Sequence, residues 1–289
     1  MRGKTGPCGT PCRAGATLTV LILFALVVAG CAATTTTATT TTRPTSVEVR
    51  VASCPIPASD YTGTPSTPGS SPPTLRLASS LAPPEGAQIY GTAFPGSVSY
   101  LIAPTGATCQ GTWASADGGE IMAAASPSGQ TQGVVMWTRA GGAGPETDLA
   151  CPYIPAVLAV DRAFRGNASL CGHPSEDVVR QIPTGSPNLY AAAVWVPAHV
   201  KDPNLAGSGD GTDPTVALFT AQIVPLVPGN ATPTALGQMI ACTLPPAQRN
   251  VCTASLEFFL STQSEVGASV GSARVAVMGD SISEFLAGR

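Results

Sequence analysis

The chain has 289 residues, 14 basic against 17 acidic, and a mildly negative formal charge of −3. That Lys-poor balance argues against nucleic-acid binding, which needs clustered Lys and Arg, and against electrostatic docking on anionic lipid. With 31 glycines, 28 prolines and only 11% charged residues, long helices are disfavoured and short strands joined by turns are expected.

In chain order, Arg2, Lys4 and Arg13 precede an uncharged apolar run from Ala16 to Gly30, the pattern of an export signal. The run ends in Val28-Ala29-Gly30-Cys31, which resembles the lipobox of bacterial lipoproteins. That resemblance implies cleavage after residue 30 and a diacyl, palmitate-type lipid on Cys31. The chain would then be held on the outer face of the cell membrane. An uncleaved signal anchor is the alternative, since the apolar run extended through Ala33 approaches the length of a membrane span. Both place the rest of the chain outside the cytoplasm. Residues 31–46 carry a Thr-rich tract with no aliphatic residue larger than alanine before Val47, so they are expected to form a flexible tether, open to O-glycosylation. Loss of residues 1–30 removes three basic residues and no acid, leaving 17 acids against 11 bases and Lys201 as the last lysine.

Nine cysteines divide by position. Cys8 and Cys12 leave with the signal, and Cys31 takes the lipid. Cys54, Cys109, Cys151, Cys171, Cys242 and Cys252 remain, an even number in an exported chain, which predicts three disulfides. Metal binding by these cysteines is the alternative, but no pair has C-x-x-C spacing and only two histidines accompany them. Proximity in sequence favours Cys54–Cys109, Cys151–Cys171 and Cys242–Cys252.

Residues 47–289 are expected to form a β-rich α+β body of short antiparallel strands with two C-terminal helices. Two subdomains meeting near residue 183 are one possible division. VEVRVAS (47–53) alternates as a half-buried strand; LRLASSLA (75–82) is ambiguous. Strands follow around the Pro95-Gly96 turn, on both sides of Asp117-Gly118-Gly119, and over 133–140. AVLAVDRAF (156–164) fits a helix or a strand. Pro174 to Gln181 reads as a short helix with acids in its first turn. NLYAAAVWVP (188–197) and PTVALFTAQIVP (214–225) are the strongest strands and should pair across a long loop. Thr232-Pro233-Thr234 is expected to start a helix that Pro245-Pro246 ends. A second, amphipathic helix covers AQRNVCTASLEFFLST, with the Cys242–Cys252 bridge locking the two. Arg274 to Met278 reads as a final strand. The segments IAPTGATC, ACPYIP, Pro174 to Val178 and CTLPPAQRNVC together resemble secreted proteins of high-GC Gram-positive bacteria that carry no known activity. The resemblance therefore brings no functional residue.

The chemical candidates are few. VAVMGDSISEF (275–285) is similar to the nucleophile block of the SGNH, or GDSL, esterases and lipases, which would make Ser281 a nucleophile. That family places the block near the start of its domain and a D-x-x-H block near the end. Here eight residues follow Ser281, and neither His173 nor His199 lies downstream or has that spacing. A serine without a base is a poor nucleophile, so the segment is expected to be a strand, a cap and a last helical turn. Gly267-Ala268-Ser269-Val270-Gly271 matches G-x-S-x-G without the strand before it or the later histidine that an elbow requires. Asp210 and Asp213 sit in GSGDGTDP as weak calcium candidates without the further acids of an EF-hand. Trp113, Trp137 and Trp195 lie on strands, where core packing is the default and a face for sugar or peptide the alternative. Asn167 and Asn230 head formal glycosylation sequons. Two α/β lobes of a solute-binding protein are disfavoured, because regular helix–strand alternation is missing. The expectation is a lipid-anchored envelope protein with no cofactor and no nucleic-acid partner. It would meet the membrane through Cys31 and act on an envelope protein or glycan as a non-catalytic binding module. A serine hydrolase using Ser281 is the alternative.

Overall fold

A four-stranded sheet opens the described chain. The computed structural model describes residues 45–56, 72–94, 97–113, 120–125, 132–138, 149–165, 171–205, 212–224 and 233–289. The signal segment, Cys31, the tether up to Pro44, Asp210, Asn167 and Asn230 lie outside the described residues, and Ser46, expected at the end of the tether, is the first residue of a strand. Strands β1 (Ser46–Ser53), β2 (Thr74–Ala78), β3 (Ala87–Phe94) and β4 (Ser97–Pro104) form this sheet in the order β2-β1-β3-β4. β1 runs antiparallel to β2 and parallel to β3.

The second sheet has seven strands: β5 (Thr108–Trp113), β6 (Glu120–Ala125), β7 (Gly133–Thr138), β8 (Val178–Ile182), β9 (Leu189–Val196), β10 (Thr215–Val224) and β11 (Thr234–Thr243). Its order is β5-β6-β7-β11-β10-β9-β8, antiparallel throughout. Two meanders meet where β11 pairs with β7. Residue 183 falls in the turn between β8 and β9, inside this sheet, and residues 44–289 form one compact unit.

Strand periodicity explains the layers. Successive side chains of a strand face opposite sides, and in β10 both sides are apolar. Val216 and Leu218 join one core with Ile240, Met136 and the C-terminal helices. Ala217, Phe219 and Ala221 join the other with Val194, Met239 and helix α1 (Pro155–Arg165). An antiparallel sheet often leaves one face wet; this one is covered on both.

Three helices follow β11: α2 (Arg249–Thr262), α3 (Glu265–Val270) and α4 (Ser272–Ala287). α2 buries Val251, Leu256, Phe258 and Phe259. It also closes the outer edge of β4. Ser255 Oγ donates to the Ile102 carbonyl, and Tyr100 N–H donates to Gln263 Oε1 at 3.1 Å. An edge strand left open would present unpaired backbone groups. Ser264 caps α3, its hydroxyl accepting from Gly267 N–H.

All three disulfides pair as expected: Cys54–Cys109, Cys151–Cys171 and Cys242–Cys252. The first joins the end of β1 to β5, and so one sheet to the other.

Several local expectations are corrected. The helix expected from Thr232-Pro233-Thr234 is absent from Pro233 onward, Thr232 lying outside the described residues; Thr234 opens β11, a central strand whose burial between β7 and β10 overrides its Ala, Leu, Gln and Met content. The Cys242–Cys252 bridge therefore ties a strand to a helix rather than two helices. The segment from Pro174 is a turn leading into β8, not a helix. Arg274 to Met278 is the first half of α4, not a strand. Its buried residues Met278, Ile282, Phe285 and Leu286 follow the helical spacing i, i+4, i+7, i+8. The ambiguous 156–164 segment is α1, and 75–82 resolves into β2 and a 3-10 turn at Ser79–Leu81.

The seat of α3 on α2 depends on Gly267, where an added Cβ would collide with the backbone carbonyl oxygen of Leu260. Gly267→Ala is expected to lower stability by about 1–3 kcal/mol, the usual cost of overpacking. Gly279→Ala, which meets nothing nearer than Glu257 Cγ at 3.9 Å, should be neutral or slightly stabilising in its helix. Paired thermal melts check both; equal shifts would contradict the packing assigned to Gly267.

Candidate functional site

The segment that resembles a nucleophile block contributes to a groove, but not through its serine. On α4, Val275, Ala276, Gly279 and Asp280 line one wall, with spacings that keep them on one helix face, and Gly271 lines it just before the helix begins. α2 supplies Glu257 and Leu260, α3 supplies Ala268, and the 3-10 turn supplies Ser80 and Leu81. The cavity measures about 560 Å³, within the range of roughly 300–1,000 Å³ seen for small-molecule sites. Small side chains on α4 keep it open. Leu260 is fully buried beneath it.

Its charge has one sign. Glu257 and Asp280 are acidic and no lining residue is basic. Ser283 Oγ donates to Glu257 Oε1 at 2.5 Å and fixes the carboxylate against α4. α4 is held from the side of the sheet as well, by the ion pair of Arg180 with Glu284 at 2.8 Å.

Ser281 is outside the groove lining. Its hydroxyl donates to the Val277 carbonyl at 3.1 Å, one turn back in the same helix. His199 is exposed after β9. His173 stacks on Tyr153 with ring centroids 5.4 Å apart, and its Nδ1 lies 2.9 Å from the Pro174 carbonyl. Neither histidine lines the groove. Ser269 is exposed on α3, between helices rather than at a strand-to-helix elbow.

Asp213 is buried and accepts a hydrogen bond from Gln132 Nε2 at 2.5 Å; its partner candidate Asp210 lies outside the described residues. Among the described residues, one grouping of three metal-type ligands occurs, Cys151, Asp161 and Cys171, and its two sulfurs are bonded to each other. Trp137 and Trp195 build no shared platform. Trp195 packs on the helix side of the sheet under the Arg249 guanidinium, 5.7 Å from its ring centroid, while Trp137 packs on the α1 side. The Trp113 ring lies outside the described residues.

A polar cluster lies around Tyr153, just before α1. Asp202 is buried and accepts from Tyr153 Oη, from Asn204 N–H and from Asn204 Nδ2, the last two at 2.8 Å. Beside it Asp177, also buried, has no donor on either carboxyl oxygen. His173 Nδ1 stands 3.8 Å from Asp177 Oδ2. Burial first, then the neighbouring Asp202 carboxyl, then Glu176, push the Asp177 carboxyl up to about 7. Burial and the bond to Asp202 push the Tyr153 phenol far above its ordinary value, so it remains a donor. The loop holding Asp202 and the turn holding Asp177 are distant in sequence, and no motif linked them. Glu257 was equally silent, as one acid on an amphipathic helix.

No protein-family model, curated protein or solved structure matches the chain.

Proposed function

We propose that this is an exported, lipid-anchored envelope protein whose globular region is a non-catalytic binding module working through the groove between α2, α4 and the 3-10 turn. The observation that carries this is the groove itself: it is ligand-sized and its charged groups are two carboxylates, while the nearby serine is turned into its own helix. Cys31, behind its export signal, would hold the module to the outer face of the membrane, and the Thr-rich tether would give it reach. Among the described residues no helix is long and apolar enough to cross a membrane. A glycan ligand draws no support from the groove, whose lining contains no aromatic side chain to stack on a sugar.

Two measurements test this. A fluorophosphonate probe is expected to give no labelling that depends on Ser281; labelling of wild type lost in Ser281→Ala would establish the serine-hydrolase alternative instead. Metabolic labelling with a fatty acid should mark the wild-type protein and not Cys31→Ser. Unchanged incorporation in that variant would remove the anchor.

A further inference from the structure

Resting on the groove as a binding site, we infer that it takes a primary alkylammonium ion. The charged head lies at the Glu257–Asp280 end and the aliphatic tail runs along Val275, Ala276 and Ala268. The sign of charge comes first. Both ionisable groups of the lining are acids, so a carboxylate or phosphate ligand would meet repulsion with no compensating base. Glu257 is half-buried and is oriented by Ser283, which makes its charge less screened than that of a free surface acid.

The shape of the head group comes next. A quaternary ammonium is recognised through aromatic faces, and the groove has none. A primary ammonium instead carries three N–H donors and needs acceptors. Glu257 and Asp280 offer carboxylate oxygens, and Ser80 and Ser272 add hydroxyls along the walls. The tail follows from the other end of the groove. Away from the acids, its lining is Val275, Ala276 and Ala268 over the buried Leu260, apolar and low in relief because two of the three are alanines. A slim aliphatic chain fits such a slot better than a branched or planar group.

The test uses the full-length protein in a non-ionic detergent, titrated with four probes: hexylammonium, hexyltrimethylammonium, hexanol and hexanoate. Hexylammonium should saturate a single site, bind at least about tenfold tighter than the other three, and weaken as salt rises. Glu257→Gln with Asp280→Asn should weaken it about tenfold, the scale of losing two partly exposed ion pairs. Gly279→Leu should block it by filling the slot; far-UV circular dichroism verifies that each variant is folded. Hexylammonium binding no tighter than hexanol, or binding unchanged in the double variant, overturns the cation assignment. If Gly279→Leu then still blocks hexanol, the groove stands as a binding site and only the ligand class falls. Absence of binding by every probe overturns both.

Discussion

Replacing Cys54 and Cys109 together by alanine is expected to lower the unfolding free energy by about 4 kcal/mol, the largest loss from any of the three bridges. The ordering follows from loop length. Cys54 and Cys109 are 55 residues apart, against 20 for Cys151–Cys171 and 10 for Cys242–Cys252. Cross-linking a longer loop removes more entropy from the unfolded chain, and the shorter bridges are worth about 3 kcal/mol each on the same scale. Position adds to length. Cys54 follows the last residue of β1 and Cys109 belongs to β5, so this bridge ties the two sheets covalently at a second point, besides the short β4–β5 connection. Both cysteines are buried, and the double alanine also gives up their packing. Against a typical net stability of about 5–15 kcal/mol, such a loss brings the domain close to unfolding. Denaturant melts of the three double-alanine variants, followed by far-UV circular dichroism, check the order. A Cys54/Cys109 variant with the wild-type midpoint would contradict the role assigned to this bridge.

The pairing of those cysteines was legible because each bridge joins cysteines adjacent in the sequence. The β9–β10 hairpin was legible for a related reason: Leu189 to Val196 and Thr215 to Val224 are apolar on both faces and long enough to stand out. α2 declared itself through Val251, Ser255, Phe258, Phe259 and Thr262 at helical spacing. What failed was local propensity set against tertiary context. The Val-rich stretch Val275 to Met278 looks like a strand when read alone. Only the buried series Met278, Ile282, Phe285 and Leu286 reveals a helix, and it begins where the stretch ends. β11 failed in the opposite sense: its residues favour helix, yet it lies between β7 and β10 with both faces buried. The candidate site was the least legible part. Gly279 and Asp280 were noticed for a resemblance carried by Ser281. The groove they line needs Glu257 from another helix, Ala268 from a third and Leu81 from a turn nearly two hundred positions earlier in the chain. No spacing rule connects residues that only the packing of α2, α3 and α4 brings together.

The buried acid pair predicts a stability that falls as pH rises. Asp177 is the member without donors, whereas Tyr153 and Asn204 converge on Asp202. The proton of the pair is therefore best placed on Asp177. Its carboxyl moves from an ordinary value of 3.8 to about 7 in the fold, by burial first and by Asp202 second. Between those two values the folded chain binds more protons than the unfolded chain, so the unfolding free energy decreases with pH across that window and levels off above about 7. Taken undiscounted, a displacement of about three pH units corresponds to about 4 kcal/mol. Water entry and relaxation of the surrounding turn reduce such a cost, and about 2 kcal/mol is the expected effect. Asp177→Asn replaces the protonated carboxyl by a neutral amide of the same shape. Wild type and variant should be equally stable near pH 4, and the variant more stable by about 2 kcal/mol at pH 8. The comparison cancels the other titrating groups near the pair, His173 and Glu176 among them, to the extent that they act alike in both proteins. Asp202→Asn should behave differently: it gives up the carboxylate on which Tyr153 and Asn204 converge and is expected to destabilise at every pH. Denaturant melts of the three proteins from pH 4 to pH 8 separate these outcomes. A stability difference between wild type and Asp177→Asn that does not change with pH would show that Asp177 is ionised throughout, and that the proton lies elsewhere in the cluster.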